Sequence, residues 1–335
     1  MALPFAFLPS GLHGKKSSRR DSGISDDDDV ELTEAFEKGL REINENSETR
    51  NLKLEELRNL LKSRPDIRFR SDDAFLLRFL RNKKFDVERS FNKIVRYYEV
   101  RRDYTDIFGT FEPMQHKYVF DAEMEMVCPG RDKEGRRVVI ARNSRWDPDR
   151  YEVADGFRGS LMMIEKLLEE EETQVNGMVF VADFEAFSMK HMTMVKPSMM
   201  KKMTDIYENA LPLRIRAVHF VRQPALFQKL FNLVKGLLSS KLTSRLHFHG
   251  EEYGSLHQFI PSSMLPADLG GQLPEFSNKE WRDKLLASNE EFKENNKYGF
   301  PLKNETMLRH SGTNDNHVEC LPSAGIAGTF KKIDD

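Results

Sequence analysis

Hydrophobic residues recur every three or four positions through the first third of the chain. The pattern predicts three helices, in LKLEELRNLLKSRPD, SDDAFLLRFLRNKKFD and DVERSFNKIVRYYEVRRDY. We expect Pro65 to stop the first, Ser71 or Asp72 to cap the second, and Asp86 to begin the third. The connections between them are short, which predicts a small all-helical domain over residues 31–110.

Farther along the chain, the hydrophobic period changes. Three short runs of β-branched and aromatic residues bounded by turn residues predict strands: RRVVIAR (136–142), GMVFVAD (177–183) and IRAVHFV (215–221). Helical stripes lie between them, one of Phe157, Leu161, Ile164 and Leu168, the other of Met199, Met203, Ile206 and Ala210. This alternation predicts an α/β domain over 111–295, with a mostly parallel sheet covered by helices.

Both ends of the chain have the composition of tails. Residues 1–30 contain KKSSRRDSGISDDDD, which is polar and charged and predicts a disordered segment. Ser22 and Ser25 have kinase-like surroundings, and a plain solvated tail is the alternative interpretation. Residues 296–335 are expected to form a C-terminal tail.

Charge and composition exclude several classes of protein. The formal charge of −2 argues against nucleic acid as a bulk partner. Between Lys201 and His249, however, the sequence contains nine Lys or Arg residues and only two acidic residues. The two cysteines are expected to be reduced thiols. Because no apolar run is long enough to span a bilayer, we expect a soluble, cytoplasmic protein.

No catalytic motif stands out. The glycine-rich nucleotide motifs, the serine nucleophile elbow and the H-E-x-x-H zinc motif are absent from the sequence. His247 and His249 would share a strand face, but no third ligand with comparable spacing follows, so we expect no metal site. Asp183 ends a strand and is expected to be a cap or turn residue, although a catalytic role for it is the alternative. We expect neither enzyme activity nor a cofactor.

The segment PALFQKLFNLVKGLLSSKLTSR (224–245) is apolar, with basic residues along one flank. A fully buried helix would not be expected to carry those cations. A solvent-exposed helix would not be expected to carry so many Leu, Phe and Val residues. Upstream of it, six methionines crowd residues 189–203. Methionine adapts its shape to an apolar guest, although a methionine-rich core is the alternative.

Five stretches together resemble the CRAL-TRIO lipid-binding family: DDAFLLRFLRNKKFD, EETQVNG, PLRIRAVHFVRQP, LHFHG and LPADLGGQLP. They occur in this order between about residues 31 and 290 and cover most of the chain. The resemblance implies a helical N-terminal domain packed on an α/β domain, which encloses one hydrophobic ligand under a mobile gate helix.

The resemblance also implies residue roles. The gate helix would cover the ligand with an apolar stripe of Leu226, Phe227, Leu230, Phe231, Val234, Leu237 and Leu238. Open, the same stripe would enter a bilayer interface. The cavity walls would be Phe157, Ser160, Ile164, Met178, Phe180, Phe187, Met203, Ile206, Tyr207, Leu211, Ile215 and Val218. The hydroxyls of Ser160 and Tyr207 would orient a hydroxyl or carbonyl group of the guest.

A basic cluster of the family matches Lys83, Arg214, Arg216, Lys241 and Arg245, which implies binding to phosphatidylinositol phosphates on a membrane surface. A solvated basic face is the alternative. Leu213 stands where phosphatidylinositol-transfer members carry an acid used in headgroup binding, which favours a wholly apolar guest.

Two functions remain open at this point. One is a monomeric cytosolic carrier that exchanges a retinoid- or tocopherol-like ligand at phosphoinositide-containing membranes. The other is a phosphoinositide-binding adaptor in endosomal or vesicle trafficking, for which the cavity is secondary.

Overall fold

The computed structural model describes residues 26–225 and 227–301. Most of both predicted tails, including Ser22 and Ser25, lies outside these residues. Within the described part, no helix is long and apolar enough to cross a membrane.

From residue 26 onward, where the described part of the chain begins, six α-helices precede the sheet: α1 (Asp26–Glu42), α2 (Ser47–Leu61), α3 (Asp73–Asn82), α4 (Val87–Asp103), α5 (Thr105–Phe108) and α6 (Lys117–Asp121). The predicted caps are confirmed. The Phe75 amide donates to Asp72 Oδ1 at 3.1 Å, and the Arg89 amide donates to Asp86 Oδ1 at 2.9 Å. These side chains satisfy amides that have no partner within the first turn of a helix.

The sheet has five strands in sequential order: β1 (Glu125–Val127), β2 (Arg137–Arg142), β3 (Met178–Asp183), β4 (Ile215–Val221) and β5 (Leu246–Gly250). β1 is antiparallel to β2, and the other neighbours are parallel. The three predicted strands and the mostly parallel sheet are confirmed. β1 has no clear sequence signal because it is three residues long and begins with a glutamate.

Among the described residues up to 301, nine α-helices accompany the strands: α7 (Val153–Leu167), α8 (Glu171–Asn176), α9 (Met189–Met194), α10 (Pro197–Thr204), α11 (Phe227–Val234), α12 (Ser240–Thr243), α13 (Tyr253–His257), α14 (Lys279–Ala287) and α15 (Asn289–Asn295). α10 continues as a π-helix over Asp205–Ala210. Such insertions are rare and occur frequently at functional sites.

The two faces of the sheet contact different parts of the chain. On one face, Val138, Ile140, Val179 and Val181 are at most 1 % exposed, and they pack against the residues around α13. The other face belongs to a larger core, which joins α7, the π-helix and the N-terminal helices. One apolar core therefore connects the helical region to the sheet.

The segment predicted as one gate helix is divided in the structure. α11 ends at Val234, a 3-10 turn covers Lys235–Leu237, and α12 begins after Ser239. Gly236 lacks the helix propensity to continue α11, and the Ser239 Oγ accepts the Leu242 amide at 3.1 Å to start a new helix. The prediction of a continuous helix is corrected accordingly. We call residues 227–243 the gate segment.

Candidate functional site

The predicted cavity residues come from both the helices and the sheet. α7 carries Phe157, Ser160 and Ile164, and β3 carries Met178 and Phe180. The remaining residues are Phe187 before α9, Met203 on α10, Ile206 and Tyr207 on the π-helix, Leu211 after it, and Ile215 and Val218 on β4. Apart from Ser160, Phe187 and Val218, all of them belong to the larger apolar core.

A second, smaller apolar cluster lies at another part of the same sheet face. It contains Phe184, Phe187 and Phe227, with Ala182 and Phe220 packed against it. Phe180 pairs with Val218 in the sheet register, and Ala182 pairs with Phe220 two residues farther along. Because side chains alternate between the faces of a strand, all four lie on one face. This face is covered by two separate clusters rather than one continuous core.

The β3 and β4 residues of this apolar face are incompletely buried. Phe180, Val218 and Phe220 are all partly exposed, whereas the β3 and β4 residues of the opposite face are buried. Phe248 on β5, stacked on Phe220 with ring centroids 5.0 Å apart, is 46 % exposed. One face of the sheet is therefore buried, whereas the apolar side chains of the other face are partly exposed.

The gate segment contacts this apolar face through its aromatic side chains. Phe227 is 6 % exposed, and its ring lies 4.6 Å from that of Phe184 and 5.2 Å from that of Phe220. Phe231 lies 5.1 Å from Phe248. Val234 and Leu238 are partly buried, but Leu237 faces solvent. Leu226 and the side chain of Leu230 lie outside the described part of the chain.

Two hydroxyls lie within the predicted cavity wall. Ser160 Oγ and Tyr207 Oη form a hydrogen bond of 2.8 Å. Burial raises the pKa of the Tyr207 phenol well above its usual value, and the nearby Glu125 carboxyl raises it further. Tyr207 is therefore neutral at physiological pH and is able to donate or accept a hydrogen bond.

The five predicted basic residues form one cluster in the structure. Burial lowers the pKa of Lys241, and the charges of Arg245 and Arg214 lower it further. Lys83 has a pKa lowered by burial and then by Arg89 and Lys241. Cations that repel one another in this way are close in space, which is a setting that an added anion stabilises.

One basic residue of this region has no sequence signal. Lys93 on α4 is 4 % exposed, and its Nζ donates to the carbonyl of Glu208 at 3.0 Å. Burial lowers its pKa to about 7, and the charges of Lys83 and Lys241 add to the shift. Lys93 is therefore a buried member of the same basic region. The helical pattern of the sequence does not distinguish it from the other basic residues of α4.

The three arginines of the cluster already have partners, and Arg245 donates to the Ile215 carbonyl. Arg214 donates to the Val175 carbonyl at 2.6 Å, and Arg216 donates to the Asn176 carbonyl at 2.7 Å. Both also contact Glu42 at the end of α1, at 3.5 and 2.9 Å. Burial acts to raise the pKa of Glu42, but its hydrogen bond with Arg216 and the charges of both arginines hold that pKa below its usual value. The sequence gives no indication of this counter-ion.

Asp183 is part of an ion-pair network. Its side chain is fully buried, accepts Arg222 Nε at 2.8 Å, and lies 3.7 Å from Arg142 Nη1. Its Oδ1 also accepts the Glu185 amide at 3.1 Å, as expected of a turn residue. The network joins the carboxyl ends of three strands and gives Asp183 a structural role.

Three histidines stack at the edge of the sheet. His247 and His249 lie on one face of β5, as predicted, and both stack on His219 with centroids 4.9 and 5.2 Å apart. His249 hydrogen-bonds to His219 at 2.9 Å and to Ser255 at 2.7 Å. Across the described residues, no group of three or more His, Cys, Asp or Glu side chains is arranged to hold a metal ion.

Comparison with known proteins agrees with this architecture. The family model for the CRAL/TRIO domain matches residues 123–271, and the model for a Pinta-like UBA domain matches residues 46–118. The human protein named "Alpha-tocopherol transfer protein-like" is 36% identical over 256 residues, which cover 76% of this chain and 75% of that protein. Clavesin-1 from Pongo abelii is 33% identical over 309 residues, covering 89% and 86% of the two chains.

A fold with a helical N-terminal region, a mostly parallel sheet and one incompletely covered apolar face is that of a lipid-binding protein. The chain belongs to the CRAL-TRIO lipid-binding family. Among solved structures, one titled "Crystal structure of Sfh5" aligns over 77% of this chain and 92% of that chain, at 12% identity and a TM-score of 0.44.

Proposed function

We propose that the protein is a monomeric carrier that holds one hydrophobic small molecule, of retinoid or tocopherol type, beside the apolar sheet face. The observation that carries the proposal is the contact of Phe227 with Phe184 and Phe220, since it closes one end of that face with a side chain from the gate segment. The twelve predicted cavity residues would line the rest of the site.

The energetics favour such a ligand. Removing about 500 Å² of apolar ligand surface from water contributes roughly 12 kcal/mol at 25 cal/mol per Å². Lost motional freedom and ordering of the site offset much of this gain. The remainder is enough for retention in water, and exchange would then require the gate segment to open.

The basic cluster would bring the gate segment to a membrane. Lys241 lies in the last helix of the gate segment, Arg245 follows the segment, and the charges of Arg245 and Arg214 both act on Lys241. A basic residue near an anionic lipid surface contributes about 1 kcal/mol. Because an open gate exposes Phe227 and Phe231 to the bilayer, contact with lipid would favour the open state and shift its population. The carrier would be cytoplasmic, and peripheral on endosomal or other phosphoinositide-containing membranes.

A second candidate is a phosphoinositide-binding adaptor in vesicle trafficking. It is favoured by the composition of the basic cluster, because none of its five residues belongs to the proposed cavity wall. Lys83 follows α3, Arg214 and Arg216 lie at the start of β4, and Lys241 and Arg245 lie in and after α12. An adaptor would depend on these cations and not on the space beside Phe180 and Val218.

Vesicle transfer separates the two candidates. Retinol, α-tocopherol and a fluorescent phospholipid would be offered in donor vesicles, and transfer to acceptor vesicles measured with and without phosphatidylinositol bisphosphate. Val218→Phe fills the proposed site, Lys241→Ala with Arg245→Ala weakens the cluster, and Lys279→Ala with Lys293→Ala is a charge-matched control elsewhere on the surface.

A carrier should lose transfer in both the site-filling and the cluster variants, and keep it in the control. Unchanged transfer by Val218→Phe, or absence of protein-dependent transfer of all three lipids, would contradict the carrier. Phosphoinositide binding that needs Lys241 and Arg245 would then favour the adaptor.

A further inference from the structure

Glu125 places a carboxyl group inside the protein without a full set of partners. It is the first residue of β1, and its backbone carbonyl accepts the Asn278 side chain at 2.9 Å. Its Oε2 atom is buried and has no hydrogen-bond partner among the described residues. A buried acceptor left unpaired costs free energy, so a retained one calls for an explanation.

The carboxyl lines a small pocket between α6, α7 and β1. The pocket has a volume of about 20 Å³, and its wall includes Phe120, Met124, Gly156, Gly159 and Met163. A space of this size holds one water molecule or one group as small as a hydroxyl. It is far too small for a phosphate headgroup or an aromatic ring.

A chain of polar groups connects this pocket to the proposed ligand site. Ser160 lines the pocket and hydrogen-bonds to Tyr207 at 2.8 Å. Burial raises the pKa of Glu125 to about 7, and the nearby Ser160 hydroxyl acts in the opposite direction. When Ser160 donates to Glu125, Tyr207 donates to Ser160. Every hydroxyl proton is then used, and Oε2 of Glu125 is the acceptor that remains.

We propose that Glu125, supported by Ser160 and Tyr207, is a specificity-determining residue that binds a single hydroxyl group of the hydrophobic ligand. The inference rests on the proposed carrier function and narrows it to lipid alcohols, including phenols. The ligand hydroxyl donates the hydrogen bond that Oε2 lacks. The pocket is too small to admit a group much larger than a hydroxyl. Esters, ethers and hydrocarbons with the same skeleton leave the acceptor unpaired.

The charges around the pocket agree with this assignment. Glu123 also lines it, but its carboxylate pairs with Arg145 at 2.7 Å. The phenol of Tyr207 is the other titratable group that faces Glu125. No cation neutralises Glu125 in the described part of the chain, so a neutral hydrogen-bond donor is the partner that fits, and an anionic ligand head is repelled.

A competition experiment tests the assignment. Retinol, α-tocopherol and oleyl alcohol are each mixed in equal amounts with their own methyl ether and incubated with the full chain. The lipids that remain bound after gel filtration are then quantified by mass spectrometry. The ratio of alcohol to ether does not depend on the active fraction of the protein. At a pH of about 8.5 the Glu125 carboxyl, whose pKa is about 7, is mostly ionised. A hydrogen bond to this charged acceptor then predicts enrichment of the alcohol by about tenfold or more for the skeleton that binds.

Two variants provide matched controls. Glu125→Met keeps the length of the side chain but removes the acceptor, so the ratio should fall to between one and two while the ether is retained as before. Gly156→Ala adds a methyl group to the pocket wall, where the nearest heavy atom is Met124 Sδ at 3.9 Å, and it should also lower the ratio.

The outcomes distinguish the two proposals. If wild type retains alcohol and ether equally, the pocket holds only an ordered water, and the assignment of Glu125 is wrong while the carrier stands. An alcohol preference that survives in Glu125→Met also overturns it. If none of the six lipids is retained, the carrier function fails and this inference fails with it.

Discussion

Phe227 of the gate segment packs edge to face on Phe184, with ring centroids 4.6 Å apart and an interplanar angle of 73°. Ten residues later, Leu237 is 37 % exposed. The gate segment is therefore held at its beginning by aromatic contacts and is more loosely attached at the 3-10 turn. Opening of the site would require loss of the Phe227 contacts.

Phe227→Ala should speed exchange of a bound lipid. Truncation of a buried phenylalanine costs about 3 kcal/mol, and part of that loss falls on the closed state alone. We expect retinol or α-tocopherol to dissociate at least tenfold faster, measured by stopped-flow transfer to vesicles. Leu237→Ala, in the same segment but exposed, should change the rate less than twofold. Equal effects of the two substitutions would contradict the role of Phe227.

Glu42→Gln should strengthen binding to anionic vesicles. The carboxylate contacts both Arg214 and Arg216, so its removal frees two cations for lipid. At about 1 kcal/mol for each of the two basic residues, affinity should rise by up to about thirtyfold. Flotation with vesicles that contain phosphatidylinositol bisphosphate measures this change. Glu37→Gln removes the same charge from α1 at a site 4.0 Å from Arg41 and should have little effect. Unchanged affinity in Glu42→Gln would show that both arginines are structural.

Lys93 should make stability depend on pH in the alkaline range. Its pKa is about 7 in the folded protein and near 10.5 in the unfolded chain. Between these values the unfolded chain binds the proton more tightly, so the unfolding free energy should rise with pH, by up to about 3 kcal/mol from pH 7 to 9.5. The charged groups that face it are Lys83, Lys241 and Glu208.

Urea unfolding across this range tests the Lys93 prediction. Lys93→Met should be more stable than wild type at pH 7 and should lose the rise. The same rise in wild type and variant would mean that another group titrates.

Asp183→Asn should destabilise the fold without changing the lipid that is bound. The substitution removes the buried partner of Arg222, and breaking such a pair costs about 3–5 kcal/mol. Asp268 contacts Arg142 and Arg222 but is 45 % exposed at its side chain, so Asp268→Asn should cost less than about 1 kcal/mol. The midpoints of urea denaturation give both values. A stable Asp183→Asn variant with altered lipid chemistry would support the catalytic alternative instead.

Local patterns in the sequence were enough to predict much of the fold. β-branched runs between turn residues predicted β2, β3 and β4 to within a residue, and the caps Asp72 and Asp86 depend only on their own helices. The break in the gate segment was harder to predict, because an apolar period continues across Gly236 while the cap at Ser239 stops the helix.

The candidate site was only partly predictable for a different reason. Glu42 meets Arg216 across 174 residues of chain, and Lys93 meets Glu208 across 115. Neither contact can be predicted from the periodicity of the sequence. Glu125 likewise gains its position from α6 and α7, which enclose its carboxyl. Pairings of this kind depend on the packed fold and become visible only in three dimensions.

Native mass spectrometry with organic extraction, on the full chain purified from its own cell type, is the decisive test of the carrier proposal. We expect one lipid alcohol per chain, bound stoichiometrically in wild type and lost in Val218→Phe. An empty protein, or one carrying assorted host lipids, together with phosphoinositide-vesicle binding abolished by Lys241→Ala and Arg245→Ala, would contradict the carrier and identify an adaptor.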